Sequence, residues 1–138
     1  MVDREVFDRR LAQLEELLRR LRRLGSRPRE EYLGSDELHA QAERWLQLTA
    51  ECALDLAHHL IADRGWRTPA SYRDAFRVLV EEGVLTPEFA GRMELWAGLR
   101  NVLVHLYLDV DHNRLWEIIQ HNLDDLVELA QALVRAAG

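Results

Sequence analysis

Residues 35–65 read SDELHAQAERWLQLTAECALDLAHHLIADRG, and the fold follows from how their apolar side chains repeat. Leu38, Ala42, Trp45, Thr49, Cys52 and Leu56 recur at alternating steps of four and three. Leu46, Ala50, Ala53, Ala57 and Leu60 make a second stripe at the same period. That spacing is helical, and a helix apolar on two sides is either central in its domain or covered by a partner subunit. Ser35 or Asp36 caps its start, and it runs to about Arg64, where Gly65 stops it.

Four further segments fit around this one. From about Asp3 to Leu24, Phe7, Leu11, Leu14, Leu18 and Leu21 form a single seam, ended by Gly25 and Pro28. A short linker holding Tyr32 and Gly34 follows. Thr68-Pro69 or Ser71 opens a short third helix to about Glu82, with Phe76, Leu79 and Val80 inward. Thr86-Pro87-Glu88 opens a fourth, with proline in its first turn, reaching about Leu106. Asp109 or Asp111 caps a fifth, carried by Leu115, Ile119, Leu126, Leu129 and Leu133. No segment alternates like a strand. The expected architecture is all-α, an antiparallel bundle of about five helices forming one domain over residues 1–138.

Composition narrows the function. The 138 residues are 48 % hydrophobic and 30 % charged, ordinary for a globular protein. Net charge is −6, which argues against indiscriminate nucleic-acid binding. The single Cys52 excludes an internal disulfide and a multi-cysteine zinc site. No apolar run approaches the ~20 residues that span a bilayer. The opening Met-Val-Asp-Arg does not read as a signal peptide, so a cytoplasmic location is expected. All 18 cations are arginine. Six of them crowd between Arg19 and Arg29, the pattern of a solvated helix end beside the negative pole of its dipole. An RNA- or partner-docking role is the rival reading of that cluster.

The chemistry concentrates in residues 100–107, Arg-Asn-Val-Leu-Val-His-Leu-Tyr. Arginine can grip phosphate oxygens in bidentate fashion, and histidine moves protons near neutral pH. On a helical wheel Arg100 falls on the apolar seam of Phe89, Met93, Trp96, Leu103 and Tyr107, a costly place for an unpaired charge. Gly91, Glu94, Gly98, Asn101 and His105 make a second stripe, small and polar. Arg100 and His105 stand about 140° apart on the wheel, so two copies of the helix are expected to pool these groups. Glu94 is a candidate support for His105. Asp55, His58 and His59 fall within one turn, and Asp55 with His59 has metal-pair spacing, but one helix does not complete a site. Trp45, Trp66, Trp96 and Trp116 are expected as core or interface anchors, and His112 and His121 on a solvated face.

Arg100, four residues, His105, one residue, Tyr107 resembles the R-x4-H-x-Y motif of HepT toxins in the HEPN superfamily. Ala53 to Leu60, Ser71 to Phe76 and Gly98 to Asp111 also read like that family, and the likeness covers roughly residues 3 to 135. The resemblance implies a HEPN-like helical fold and a homodimeric, metal-independent endoribonuclease of a type VII-like HepT/MntA toxin–antitoxin system, with no cofactor. It implies Arg100, Asn101 and His105 as catalytic residues. It implies a minimal nucleotidyltransferase antitoxin (MntA-like) that transfers AMP onto Tyr107 and so blocks activity, and a larger hetero-oligomer with that antitoxin is plausible. The alternative is a non-catalytic helical module that binds nucleotide or protein beside such a nucleotidyltransferase.

Overall fold

The computed structural model describes residues 4–105 and 109–138. Among these residues there are seven helices and no strand: α1 (Arg4–Gly25), α2 (Arg29–Leu33), α3 (Asp36–Asp63), α4 (Tyr72–Glu81), α5 (Pro87–Val104), α6 (His112–His121) and α7 (Leu123–Ala137). No helix among them is long and apolar enough to cross a membrane.

The long helix is central, as its two stripes require. Leu38, Leu46, Ala50, Ala53, Leu56, Ala57 and Leu60 of α3 are all buried. They pack against α1 on one side and against α4, α5 and α7 on the others. The Ser35 hydroxyl caps α3 by accepting from the Leu38 N–H at 3.2 Å. Gly65, at φ 66°, then turns the chain where a Cβ would be strained. Gly83, at φ 75°, closes α4 in the same way. Ser71 caps α4 and Thr86 caps α5, each accepting from the N–H three residues on. Phe7, Leu14, Leu18 and Leu21 of α1 form the expected buried seam.

The two additional helices have local causes. The linker after Pro28 winds into α2 because Tyr32, fully buried, must reach the core. Its hydroxyl lies 2.7 Å from His112 Nδ1, and the His112 ring stacks on His39 with centroids 3.7 Å apart. His112 is therefore half-buried, not on a solvated face; His121 is exposed. The fifth helix of the sequence reading divides at Asn122 into α6 and α7. α6 packs mainly on α1 and α2 and touches α3, while α7 packs mainly on α3. No glycine or proline marks the break. Trp96 and Trp116 are buried, and Trp45 and Trp66 pack on the core's edge. Five of the six clustered arginines meet carboxylates: Arg19 and Arg20 at Glu16, Arg22 at Asp124, Arg27 at Glu31, and Arg29 at Glu117.

Candidate functional site

Helix α5 fixes the site because its seam must be buried. Phe89, Met93, Trp96 and Leu103 insert into the core and fix the rotation of the helix. Arg100 sits on that seam, one turn from Trp96, with its side chain 23 % exposed. A guanidinium in such a place needs partners, and two neighbouring helices supply them. Arg100 Nε, sealed from solvent and making no hydrogen bond, lies 3.5 Å from Glu51 Oε1 of α3, within ion-pair range. The guanidinium carbon stands 4.9 Å from the centroid of the Tyr72 ring, at the start of α4. Its Nη1 is 3.4 Å from Asn101 Oδ1. The charge is thus compensated within one chain.

Beside Asn101 opens a cleft of about 320 Å³ lined also by His58, Pro69, Ser71, Tyr72 and Arg73. One wall is the segment between α3 and α4, held by an ion-pair fork. Arg67 donates to both Asp74 oxygens, at 2.7 and 2.9 Å, and to both Glu81 oxygens, at 2.8 and 2.9 Å. Asp74 also accepts from the Ala70 N–H at 2.8 Å. The Arg67 guanidinium, helped by that N–H, holds the Asp74 carboxyl well below the usual carboxylate range. Arg73, which lines the cleft, reaches across α5 at Gly98, where an added Cβ would meet Arg73 Nη2 at 2.8 Å. The small residue gives the Arg73 side chain room to lie across α5.

His105 is the C-cap of α5, at φ −102° and ψ 62°, and it is exposed. Its N–H donates to the Asn101 carbonyl at 3.2 Å. The helix has ended there, so a wheel drawn through residue 105 no longer gives the direction of its ring. Arg100, Asn101 and the His105 backbone are thereby brought together. Glu94 is not: its carboxylate meets Arg77 at 3.4 Å, and eleven residues of helix set it about 16 Å from His105 along the axis. Tyr107 lies outside the described residues. Asp55 pairs with Arg10 at 3.8 Å, and His58 Nδ1 lies 2.8 Å from the Leu54 carbonyl. Among the described residues no group of three or more acidic, histidine or cysteine side chains is placed to hold a metal ion.

Sequence reasoning did not single out Glu51, Tyr72 or the Arg67–Asp74 pair. A signal existed for Glu51, a lone carboxylate between two apolar stripes; Tyr72 and Asp74 fall in the Ser71 to Phe76 stretch that resembles the family, and nothing marked Arg67.

The family described as ribonuclease HepT-like matches residues 14–133. The "tRNA nuclease HepT" of Aphanizomenon flos-aquae is 31 % identical over 118 residues, 86 % of this chain and 80 % of that protein. The "mRNA nuclease HepT" of Shewanella oneidensis is 27 % identical over 88 residues, 64 % of this chain and 66 % of that protein. Among solved structures, the tri-AMPylated Shewanella oneidensis HEPN toxin in complex with MNT antitoxin superposes with a TM-score of 0.85. That match has 22 % identity and covers 98 % of this chain and 99 % of the other, so it speaks for the fold. With the family match spanning nearly the whole helical core, the chain belongs to the HepT-like family of ribonucleases.

Proposed function

We propose that this protein is the toxin of a toxin–antitoxin pair and cleaves RNA without a metal, using Arg100, Asn101 and His105. One observation carries the reading: a half-buried guanidinium, steadied by Glu51 and by Tyr72, whose ring lines an open cleft with Asn101, lies five residues before an exposed histidine. RNA contains its own nucleophile, the ribose 2′-hydroxyl. His105 takes or gives a proton during its attack on the adjacent phosphate. Arg100 neutralises the charge that builds on the phosphorane-like transition state, and Asn101 orients the phosphate or the imidazole. The products are a 2′,3′-cyclic phosphate and a 5′-hydroxyl.

The active form in this reading is a homodimer that joins two copies of α5. Val102, 57 % exposed, and Val104, 38 % exposed, are the large apolar side chains left bare among the described residues, and they flank Asn101 and His105. Tyr107 is the proposed acceptor of AMP from a nucleotidyltransferase antitoxin. The Shewanella oneidensis toxin, AMPylated and bound to such an antitoxin, supports this. A bulky anion on Tyr107 would repel RNA from the cleft.

The test is incubation of labelled RNA with purified protein in EDTA. Cleavage by the native chain, lost in a folded His105→Ala variant, is expected. Equal cleavage by the variant would remove His105 from the mechanism. Binding without cleavage by the native chain would leave a non-catalytic module.

A further inference from the structure

We propose that Arg73 is a substrate-positioning residue, holding a phosphate of the RNA strand next to the one being cut. The assignment rests on the ribonuclease reading above.

The carboxylates around α4 and α5 are committed to other cations. Asp74, next in sequence, is held by Arg67. Glu94 of α5 is held by Arg77, and Glu51 of α3 by Arg100. Arg73 is exposed and left over. Among the described residues its guanidinium meets no carboxylate within ion-pair range, although Asp109 and Asp111 line a second groove that it borders.

Its position is set all the same. An unpaired surface arginine ordinarily trails into water. This one lies against α5, with Nη2 2.8 Å from where a Cβ on Gly98 would stand. Gly98 and Asn101 are three residues apart on one face of the helix, about 5–6 Å between side-chain origins. Asn101 lines the cleft with Arg73, and its Oδ1 is 3.4 Å from Arg100 Nη1. The Asn101 amide therefore has the Arg100 guanidinium beside it and the Arg73 guanidinium one turn back along α5. Two cations about one amide suit two phosphates of one strand, Arg100 taking the reacting phosphate and Arg73 its neighbour. A guanidinium takes phosphate oxygens in bidentate fashion, which fixes the register of the strand as well as adding affinity. That contact is made equally before and during the reaction, so its loss falls mainly on binding.

The test compares native protein with Arg73→Gln and Arg73→Lys. Binding is measured on a short RNA with a 2′-deoxy sugar at the cut, in strands where each phosphate in turn is an uncharged methylphosphonate. Arg73→Gln should bind the unmodified strand about 10-fold more weakly. It should lower the slope of log affinity against log salt by about 0.7, the share of one single-strand phosphate. KM for cleavage of the all-ribose strand should rise by a similar factor. One methylphosphonate beside the cut should cost the native chain about 10-fold and Arg73→Gln nothing further. Arg73→Lys should keep the salt slope. Native affinity in Arg73→Gln overturns the proposal. So does weakened binding at the native salt slope, with every methylphosphonate costing the variant what it costs the native chain. A native chain that neither binds nor cuts RNA instead overturns the ribonuclease reading beneath it.

Discussion

Glu51→Gln tests the environment of Arg100 with little change of shape. The amide keeps an oxygen for the Gln47 side chain, which donates to Glu51 Oε1 at 3.3 Å, and removes only the charge 3.5 Å from Arg100 Nε. The bare Coulomb attraction at that distance is about 5 kcal/mol at an effective dielectric of ~20. Desolvation offsets most of it. Exposed pairs contribute about 0.2–1 kcal/mol, whereas breaking a fully buried pair costs about 3–5 kcal/mol. Here the two side chains are 23 % and 34 % exposed, between those cases, so a loss of about 1–2 kcal/mol is expected. For 138 residues the unfolding entropy is about 290 cal/mol/K, which converts that loss into a fall of about 3–7 °C in Tm. The assay is a double-mutant cycle with Arg100→Met, read by calorimetry and urea unfolding. A coupling of about 1 kcal/mol is predicted, with RNA cleavage reduced in Glu51→Gln. A coupling below about 0.3 kcal/mol, with unchanged cleavage, would refute the idea that Glu51 steadies the guanidinium.

Leu103, 1 % exposed in the last turn of α5, anchors the helix end that carries His105; Leu103→Ala should cost about 3 kcal/mol and about 10 °C in Tm, and a loss under 1 kcal/mol would contradict its packing role. Asp74 is held deprotonated by Arg67 and the Ala70 N–H, so the unfolded chain binds its proton more readily. Its contribution is full above the unfolded value of 3.8 and fades as pH falls below it; Asp74→Asn should flatten the acid limb of the urea-unfolding free energy, and parallel curves would refute this. Burial, then the stacked His39, pushes His112 below its ordinary 6.5, against the opposing pull of Glu43 and Asp111. Burial also keeps the Tyr32 phenol protonated, and its hydroxyl lies 2.7 Å from Nδ1 of the His112 ring. That contribution is complete above about pH 6.5 and declines as pH falls, because the unfolded chain then takes up the proton first; His112→Gln should reduce the drop in stability between about pH 7 and pH 5, and an unchanged drop would count against the pairing.

The helices were legible wherever period and cap agreed. Ser35, Ser71, Thr86 and Asp111 all cap as their types predict, and the double stripe of α3 placed it at the centre. The bend at Asn122 was hidden because an apolar pattern carries no mark of which neighbour each half faces. Tyr32 was hidden because a short helix has too few turns to show a period. At the site, Arg100 announced itself as a charge on an apolar seam, yet its partners come from α3 and α4, distant in sequence. The end of α5 at Val104 altered the geometry most: a C-cap residue escapes the 100° step, so the separation of Arg100 and His105 drawn on a wheel does not carry over.

The central claim is that Arg100 and His105 promote attack by the RNA's own 2′-hydroxyl. End-group analysis of a short RNA cut in EDTA tests it most directly, beside the same strand carrying a single 2′-deoxy sugar at the cut position. The account predicts a 2′,3′-cyclic phosphate and a 5′-hydroxyl from the first strand and no cut at the modified sugar in the second. A 3′-hydroxyl with a 5′-phosphate, or cleavage at the deoxy position, would contradict it.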